Sequence, residues 1–592
     1  MRIFLTAILF LSCLLISRQG VAQMSPAEYV PCQEMPNIMT HFNADVQSIT
    51  RFYTSSFFGG RGRGGSGTEG GSPEKRARLE SLYHEYLDKL AQLDFKSLPQ
   101  ECKVDYILFK RDLDEKLRAS TAEDAEYAKL QSWFPFADSI YAVEALRRRG
   151  HQLDAQRIAR DWTDITDSIH SLTSRLKADK DLDMDAIYEA GLALQDIQRA
   201  VASIYEFYNG YDPMFTWWVP KPYKALDDAL TAYADQFKEK NRHFASPDKS
   251  GITGKPVGRE ELIRQLRYEM IPYNPEDLID IANKEFDWCT AEMIKASREM
   301  GFGDNWKAAL EKVKNSYVPA GQQPEMILGL YNRSVDFLKK HDLVTIDPLE
   351  EETWGMIMMT PERQLVNPFF TGGNEISISY PTNTMDEDDK LMSMRGNNPH
   401  FSVATVHHEL IAGHNLQFFS NARFRTYRDF GSGFWTEGWS LYWELLLWDM
   451  KFPETPEDRI GFLFWHMHRC ARIIFSLNYH LGKWTPEQCI DFLVDRVGHE
   501  RANAAGEVRR SFEGHYDPLY QLAYLTGGRQ FYALKHELVD GGKMTYKQYH
   551  DAVMHLGPMP VEMIRAILTA QPLDKDYKTK WKFYDEITLP KQ

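Results

Sequence analysis

The sequence is 592 residues long, 43% hydrophobic and 26% charged, with 69 Lys and Arg against 84 Asp and Glu for a formal charge of -15. That balance excludes a disordered chain and leaves no basic footprint for nucleic acid, and six cysteines in such a length exclude a small disulfide scaffold. The length accommodates roughly three or four domains of ordinary size, or one large helical enzyme.

Arg2 precedes an apolar run from Ile3 to Ile16, and Gly20 and Ala22 follow as small residues ahead of Gln23. This is the layout of a secretory signal over residues 1–22, too short to span a bilayer comfortably. The expected destination is the periplasm or the extracellular space, with association with the cell envelope left open. Cys13, inside the apolar run, makes a lipid anchor the lesser alternative, and an uncleaved signal anchor is another. No later segment reaches membrane-spanning length without charges. Export permits disulfides. Cys32 and Cys102 are the pair to test, because a bridge would fasten the start of the mature chain to the first helical region. No Cys-x-x-Cys occurs, so no thiolate metal site is expected.

Residues 59–73 are a Gly-rich tract, read as a flexible surface loop. It does not resemble a phosphate-cradling loop, since no strand precedes it and no Lys-Ser/Thr ends it. Beyond it, Leu79–Leu93, Tyr106–Leu117, Ile158–Leu176 and Ala186–Tyr208 carry apolar residues at steps of three and four, which predicts helices. Arg242–Gly258, rich in Pro and Gly, is the candidate boundary between an N-terminal helical region (23–250) and a second region (251–592). Pro275-Glu276-Asp277 opens a helix running towards Met300. Thr353–Met359 and Glu375–Tyr380 alternate like strands, and helical periodicity then holds to the end. The predicted class is mainly α, with a small β-sheet element just ahead of the segment that carries chemistry.

That segment is Val406-His407-His408-Glu409-Leu410-Ile411-Ala412-Gly413-His414-Asn415. Three His and one Glu in a mostly apolar stretch need partners for their polar groups, and a metal is one such partner. On a regular helix the six-residue step from His408 to His414 places the two on different faces. Pairing His407 with His414 restores the face but leaves them roughly 10 Å apart, too far for one tetrahedral ion. His408 and His414 can share an ion only if Ala412-Gly413 breaks or bulges the helix; satisfied core histidines are the alternative. The run from Phe434 to Glu444 begins a second apolar helix bearing Glu437 and Glu444. Glu437 would complete a His-His-Glu set with the fourth position left for water, or simply sit in the first turn of a helix capped by Thr436. Trp435, Trp439, Tyr442, Trp443 and Trp448 read as core.

Two stretches, His408-Glu409-Leu410-Ile411-Ala412-Gly413-His414-Asn415-Leu416-Gln417 and Glu437-Gly438-Trp439-Ser440-Leu441-Tyr442, resemble motifs of the bacterial domain of unknown function family 885, which looks like zinc metallopeptidases of the gluzincin type. A third stretch, Pro518–Gly527, keeps Pro518, Tyr524 and Gly527 of the family's Pro-Gly-Gln-Ala-x-x-Tyr-x-x-Gly but loses Gly-Gln-Ala. Ala412 and Asn415 stand where the family has Pro and a second His. The resemblance implies a large helical metallopeptidase-like fold, residues 251–592 as its catalytic region, one Zn2+ held by His408, His414 and Glu437, and Glu409 as general base.

The expected activity is therefore hydrolysis of peptide substrates by an exported zinc-dependent peptidase. Tyr524 is the oxyanion donor implied by the resemblance, and His515 and Tyr516 are equally suited by chemistry. Arg509, Arg510 and Arg529 could hold a substrate carboxylate, and the strand Glu375–Tyr380 could pair with an extended peptide. The rival readings are a helical peptide-binding protein without turnover and a zinc hydrolase acting on a non-peptide amide or ester. No feature of the sequence fixes oligomeric state or the choice between exo- and endo-cleavage.

Overall fold

A computed structural model describes residues 32–53, 72–179, 182, 184–242, 246–366, 369–379, 381–513 and 516–586. The signal-like residues 1–22, with Cys13, and residues 59–71 of the Gly-rich tract lie outside them. The last two residues of that tract already belong to a helix: Ser72 accepts a hydrogen bond from the Lys75 N–H and Pro73 is the first helical residue.

The protein is mainly α, with 72% of the described residues helical. Helices α1 (Glu34–Tyr53), α2 (Pro73–Ala91) and α3 (Gln100–Leu130) open the described chain. The expected bridge forms: Cys32 and Cys102 are disulfide-bonded, with their Cα atoms 4.9 Å apart, and the bond ties the residues before α1 to the start of α3. It closes a separation of 70 residues, which by chain entropy is a constraint of about 4 kcal/mol on the unfolded state. Replacing both cysteines by Ala is expected to lower the unfolding free energy by about 2–4 kcal/mol. The readout is an earlier urea midpoint, and an unmoved midpoint would refute the stabilising role.

Two apolar cores organise the helices. Helices α4 (Ala137–Arg148), α5 (Ala155–Ala178), α6 (Met184–Tyr208) and α7 (Pro220–Arg242) pack around Trp162, Ile197, Leu230 and Tyr233 in one of them. The other joins α1–α3 to the chain from Ile252 to Phe583. A buried ion-pair cluster reinforces that union: Arg428 donates to Asp105 (2.7 Å) and Glu101 (2.9 Å), both on α3, with the Arg428 and Asp105 side chains fully out of water. A buried pair of this kind is strongly destabilising to break, because it leaves an uncompensated charge. Among the described residues, no helix is long and apolar enough to cross a membrane.

The helix expected from Pro275 is α8 (Pro275–Glu299), opened by an Asn274–Asp277 capping box. The small sheet consists of β1 (Gly355–Met358) and β2 (Glu375–Ile378), which pair in parallel with Gly355 opposite Glu375. β2 does not offer the free edge that peptide pairing would need. β1 lies on one side, and on the other Ser377 exchanges both backbone hydrogen bonds with Thr371, at 3.0 and 2.7 Å. The returning strand and its bridge instead carry Thr371-Gly372-Gly373 back towards the end of the next helix that matters, α9 (Pro399–Glu409). The remaining elements around the site are α10 (His414–Asn421), α11 (Gly433–Asp449), α12 (Pro456–His480), α13 (Arg501–Phe512) and α14 (Tyr520–Lys535).

Candidate metal centre

The histidine segment is not one helix. Asn398 caps α9 by accepting from the His400 and Phe401 N–H groups, Pro399 occupies the first turn, and α9 stops at Glu409. Four residues, Leu410–Gly413, carry the chain across, and α10 starts at His414. The break that the spacing demanded is present and begins at Leu410, two residues before the expected Ala412-Gly413. Gly413 serves close approach: a Cβ there would stand 1.9 Å from the His408 carbonyl oxygen and 2.5 Å from that of His407. The crossing loop is fastened from α11, where Trp439 Nε1 donates to the Ala412 carbonyl at 2.8 Å.

This break brings His408 and His414 together. Their Nε2 atoms stand 3.4 and 3.3 Å from one oxygen, Oε2 of Glu437. Each outer nitrogen has its own support. His408 Nδ1 lies 2.7 Å from Glu444 Oε1, and Arg469 donates to that same oxygen from α12 at 3.4 Å. His414 Nδ1 lies 3.2 Å from Ser440 Oγ and 3.3 Å from Gln417 Oε1, while Gln417 donates to the Trp435 carbonyl. Glu437, Ser440 and Glu444 share one face of α11 because three-, four- and seven-residue steps return to the same side. Ligand-type atoms of His408, Glu409 and His414 lie within 4.8 Å of one another.

Glu409 is only half buried, and its Oε2 accepts from the Gly372 N–H. Asn415, at the position where the resembled motif has a second His, donates to the Gly373 carbonyl at 2.9 Å, so the Gly372-Gly373 turn is clasped to both α9 and α10. Opposite, the Tyr520 hydroxyl donates to Glu437 Oε1 at 2.6 Å, with the Tyr524 hydroxyl 3.3 Å away. Helices α11 and α14 reach this distance through glycine: a Cβ on Gly438 would meet the Gly527 Cα at 2.6 Å, and one on Gly527 would meet the Phe434 carbonyl at 2.2 Å. The three letters Glu-Gly-Trp thus divide the labour among a carboxylate for the site, a methyl-free crossing with α14, and an anchor for the broken helix.

Charge is concentrated here. Burial opposes ionisation of His408, yet hydrogen bonds to Glu437 and Glu444 push its pKa up to about 9. Burial also penalises the Glu437 carboxylate, but the imidazoles of His414 and His408 outweigh it and hold the group well below its usual range. Glu444 is lowered in the same way, against burial, by Arg469 and His408. Glu437 is thus held ionised where the two Nε2 atoms converge, while Glu444 is balanced by Arg469 on the outer side of His408. Burial raises the Tyr524 phenol, with Glu437 adding to the effect.

A cavity of ≈ 320 Å³ opens onto His408, Glu409, His414 and Glu437, walled by Thr371 and Gly372 on one side and by Tyr516, Tyr520 and Tyr524 on another. Tyr516 stacks on Tyr520, with centroids 4.1 Å apart. His515 lies outside the described residues. Arg510 reaches the cavity wall and pairs with Glu507. Arg509 does not, being turned outward to Glu513 just beyond the end of α13, and Arg529 is buried against Glu285. Sequence reasoning missed Arg469 and Arg472, which line the cavity and stack over Tyr524 at 4.6 and 4.4 Å. Their spacing along an apolar helix resembles a core pattern interrupted by charge, and no local signal shows which way it faces. His407 points elsewhere. It is packed between Phe452 and Phe462, burial lowers its pKa to about 3, and neither ring nitrogen has a hydrogen-bond partner among the described residues. Trp435, Trp439, Tyr442 and Trp443 are core, as expected.

The sequence profile of the family described as bacterial protein of unknown function (DUF885) matches residues 60–568. The chain belongs to this family. Two solved structures share the fold. One, from Shewanella oneidensis and named as a candidate lipoprotein of unknown function, is 16% identical with a TM-score of 0.61, covering 91% of this chain and 100% of its own. The other, a candidate lipoprotein from Colwellia psychrerythraea, is 14% identical with a TM-score of 0.54, covering 91% of this chain and 98% of its own. No curated protein matches the chain. Within this DUF885 chain the family match takes in all three motif stretches and the cavity they surround.

Proposed function

We propose that this DUF885 chain is an exported zinc-dependent peptidase of gluzincin type, in which His408, His414 and Glu437 hold one Zn2+ and Glu409 is the general base. The observation that carries the reading is the convergence of two imidazole Nε2 atoms on one Glu437 oxygen at 3.4 and 3.3 Å. Ligands at about 2.0–2.1 Å from a tetrahedral ion stand roughly 3.3–3.4 Å from each other, so both imidazole–carboxylate separations match those of a zinc site, and the donors are of the right kind. The outer nitrogens support the fit, because metal-binding imidazoles are typically oriented by a carboxylate or another hydrogen-bond acceptor, as Glu444, Ser440 and Gln417 are arranged to do.

When bound, zinc supplies Lewis acidity and brings water into nucleophilic range near neutral pH. The chain's own residues account for the rest. Glu409, held by the Gly372 N–H at the cavity edge, accepts a proton from water and returns it to the leaving amine. Tyr524 is the O–H donor for the developing oxyanion, since the neighbouring Tyr520 hydroxyl is already committed to Glu437. Arg469, Arg472 and Arg510 line the cavity against the two carboxylates that pair with them, Glu444 and Glu507, and the excess of guanidinium over carboxylate suits a carboxylate on the substrate peptide. Export, with association with the cell envelope, is supported by the signal-like N-terminus, the Cys32–Cys102 bridge and the lipoprotein naming of the two structural neighbours.

The test is cleavage of a peptide library, read by mass spectrometry, before and after a chelator and after zinc is returned. Cleavage lost with the chelator and regained with zinc is expected; cleavage indifferent to the chelator, or none from zinc-loaded protein, overturns the proposal. Glu444→Gln is expected to weaken zinc binding about 10–100-fold, measured by competition with a chromophoric chelator. An unchanged affinity would remove Glu444 from the support of His408.

A further inference from the structure

A second cluster of metal-binding side chains lies in the core, away from the cavity. Helix α8 packs along α12, and at their contact Cys289 faces His466 and Cys470. His466 and Cys470 are four residues apart and so share one face of α12. One donor atom from each of the three residues lies within 4.8 Å of the other two, all three residues are buried, and none of them lines the cavity. Both cysteines are free thiols.

The imidazole is held as a ligand would be. His466 Nε2 stands 2.8 Å from Oε2 of Glu285, which lies one turn before Cys289 on α8, and Arg529 of α14 donates to the same oxygen. With Nε2 engaged by a carboxylate, Nδ1 is the nitrogen left for a ligand role, and a carboxylate–imidazole pair of this kind fixes ring orientation and raises donor strength. When a metal displaces both thiol protons, two thiolates remain without a counter-charge, since Glu285 is set against Arg529; a zinc-like ion neutralises both and copper(I) one of them. The third free thiol shows the contrast. Cys489 is buried with its sulfur 3.7 Å from the Phe475 carbonyl and, among the described residues, belongs to no such cluster.

We infer that Cys289, Cys470 and His466 form a second metal site, for a thiophilic ion of the zinc or copper(I) kind, joining α8 to α12. Soft thiolate donors select such ions over calcium or magnesium. The competing fate in an oxidising compartment is a Cys289–Cys470 disulfide, which would leave the carboxylate-held imidazole without a role at the cluster. The site is independent of the proposed peptidase chemistry and stands or falls without it.

The test uses the full chain. Elemental analysis of the purified protein is expected to find about one metal equivalent more in the wild type than in Cys289→Ser/Cys470→Ser, whatever the content of the cavity site, and to tell zinc from copper. Apo-protein reloaded with Co2+ is expected to show a sulfur-to-cobalt charge-transfer absorption, which the His408–His414–Glu437 set cannot give because it has no sulfur. Absence of that absorption in the wild-type protein, or a Cys289–Cys470 disulfide in a non-reduced peptide map, overturns the inference. Both of these measurements are made on the wild type, so they decide the matter even if the double variant does not fold.

Discussion

Glu409→Gln is expected to keep its zinc and lose about 10²–10⁴-fold in kcat. The substitution conserves shape, and the amide oxygen can still accept the Gly372 N–H that positions the side chain. His408, His414 and Glu437 are untouched, so metal content stays near that of the wild type. What disappears is the ability to take a proton from water and return it to the amine. The signature is thus a fall in kcat with KM little changed, as for an interaction made only in the transition state. Unchanged turnover at full metal occupancy would sink the base assignment. Loss of metal together with activity would instead make Glu409 part of the ligand set, which its half-buried position beside the two His leaves geometrically open.

Gly413→Ala is expected to be the most damaging single methyl group in the site. Ordinary overpacking costs about 1–3 kcal/mol, and more where the obstacle cannot turn aside. Here the obstacles are the backbone carbonyls of His408 and His407, at 1.9 and 2.5 Å from the added carbon. Relief requires α10 to move away from the end of α9, which takes His414 away from Glu437. Zinc affinity should fall more than in Glu444→Gln, and the thermal midpoint should drop even in metal-free protein. Metal-free stability equal to wild type would show that the crossing loop has slack which the backbone spacing denies.

The residues that gather at the candidate site were legible because such residue types are rare in an apolar context. His407, His408, His414 and Glu437 stood out on composition, but spacing alone set His408 and His414 on different faces, and the resemblance to the family motifs is what singled out His408, His414 and Glu437. Glu444 was visible as a carboxylate on an apolar helix, and its partners prove to be His408 and Arg469. The helix break was legible only as a requirement. The reasons it holds, Trp439 reaching the Ala412 carbonyl and Gly413 lying against two backbone oxygens, involve residues distant in sequence or space that periodicity does not pair. The same gap explains Arg529. On its own it reads as a helix cation free to meet a substrate, and only the packing of α14 near α8 reveals Glu285 as its partner. Cys289, His466 and Cys470 were invisible for a related reason, since a search for Cys-x-x-Cys cannot find a cluster whose members are brought together by two helices far apart in the chain. Helices were predicted well by their apolar stripes, but a stripe does not say which helix it will meet, and nothing local announces that α1–α3 share a core with residues beyond 252.

The glycine crossing of α11 and α14 has a consequence for how sites of this kind can be altered. With no side chain between Gly438 and Gly527, the carboxylate of Glu437 and the phenols of Tyr520 and Tyr524 are carried by what amounts to one stiff plate. Their separation cannot be tuned by substitutions at the crossing, since any added carbon forces the plate apart and separates the Tyr520 hydroxyl from Glu437. For the proposed peptidase, redesign for longer or bulkier substrates therefore has one tractable direction. It must work through the facing rim at Phe369 and Thr371, where the chain is a short bridge instead of a helix, and leave Gly372 unchanged, because a Cβ there would stand 2.0 Å from the Glu409 carbonyl oxygen.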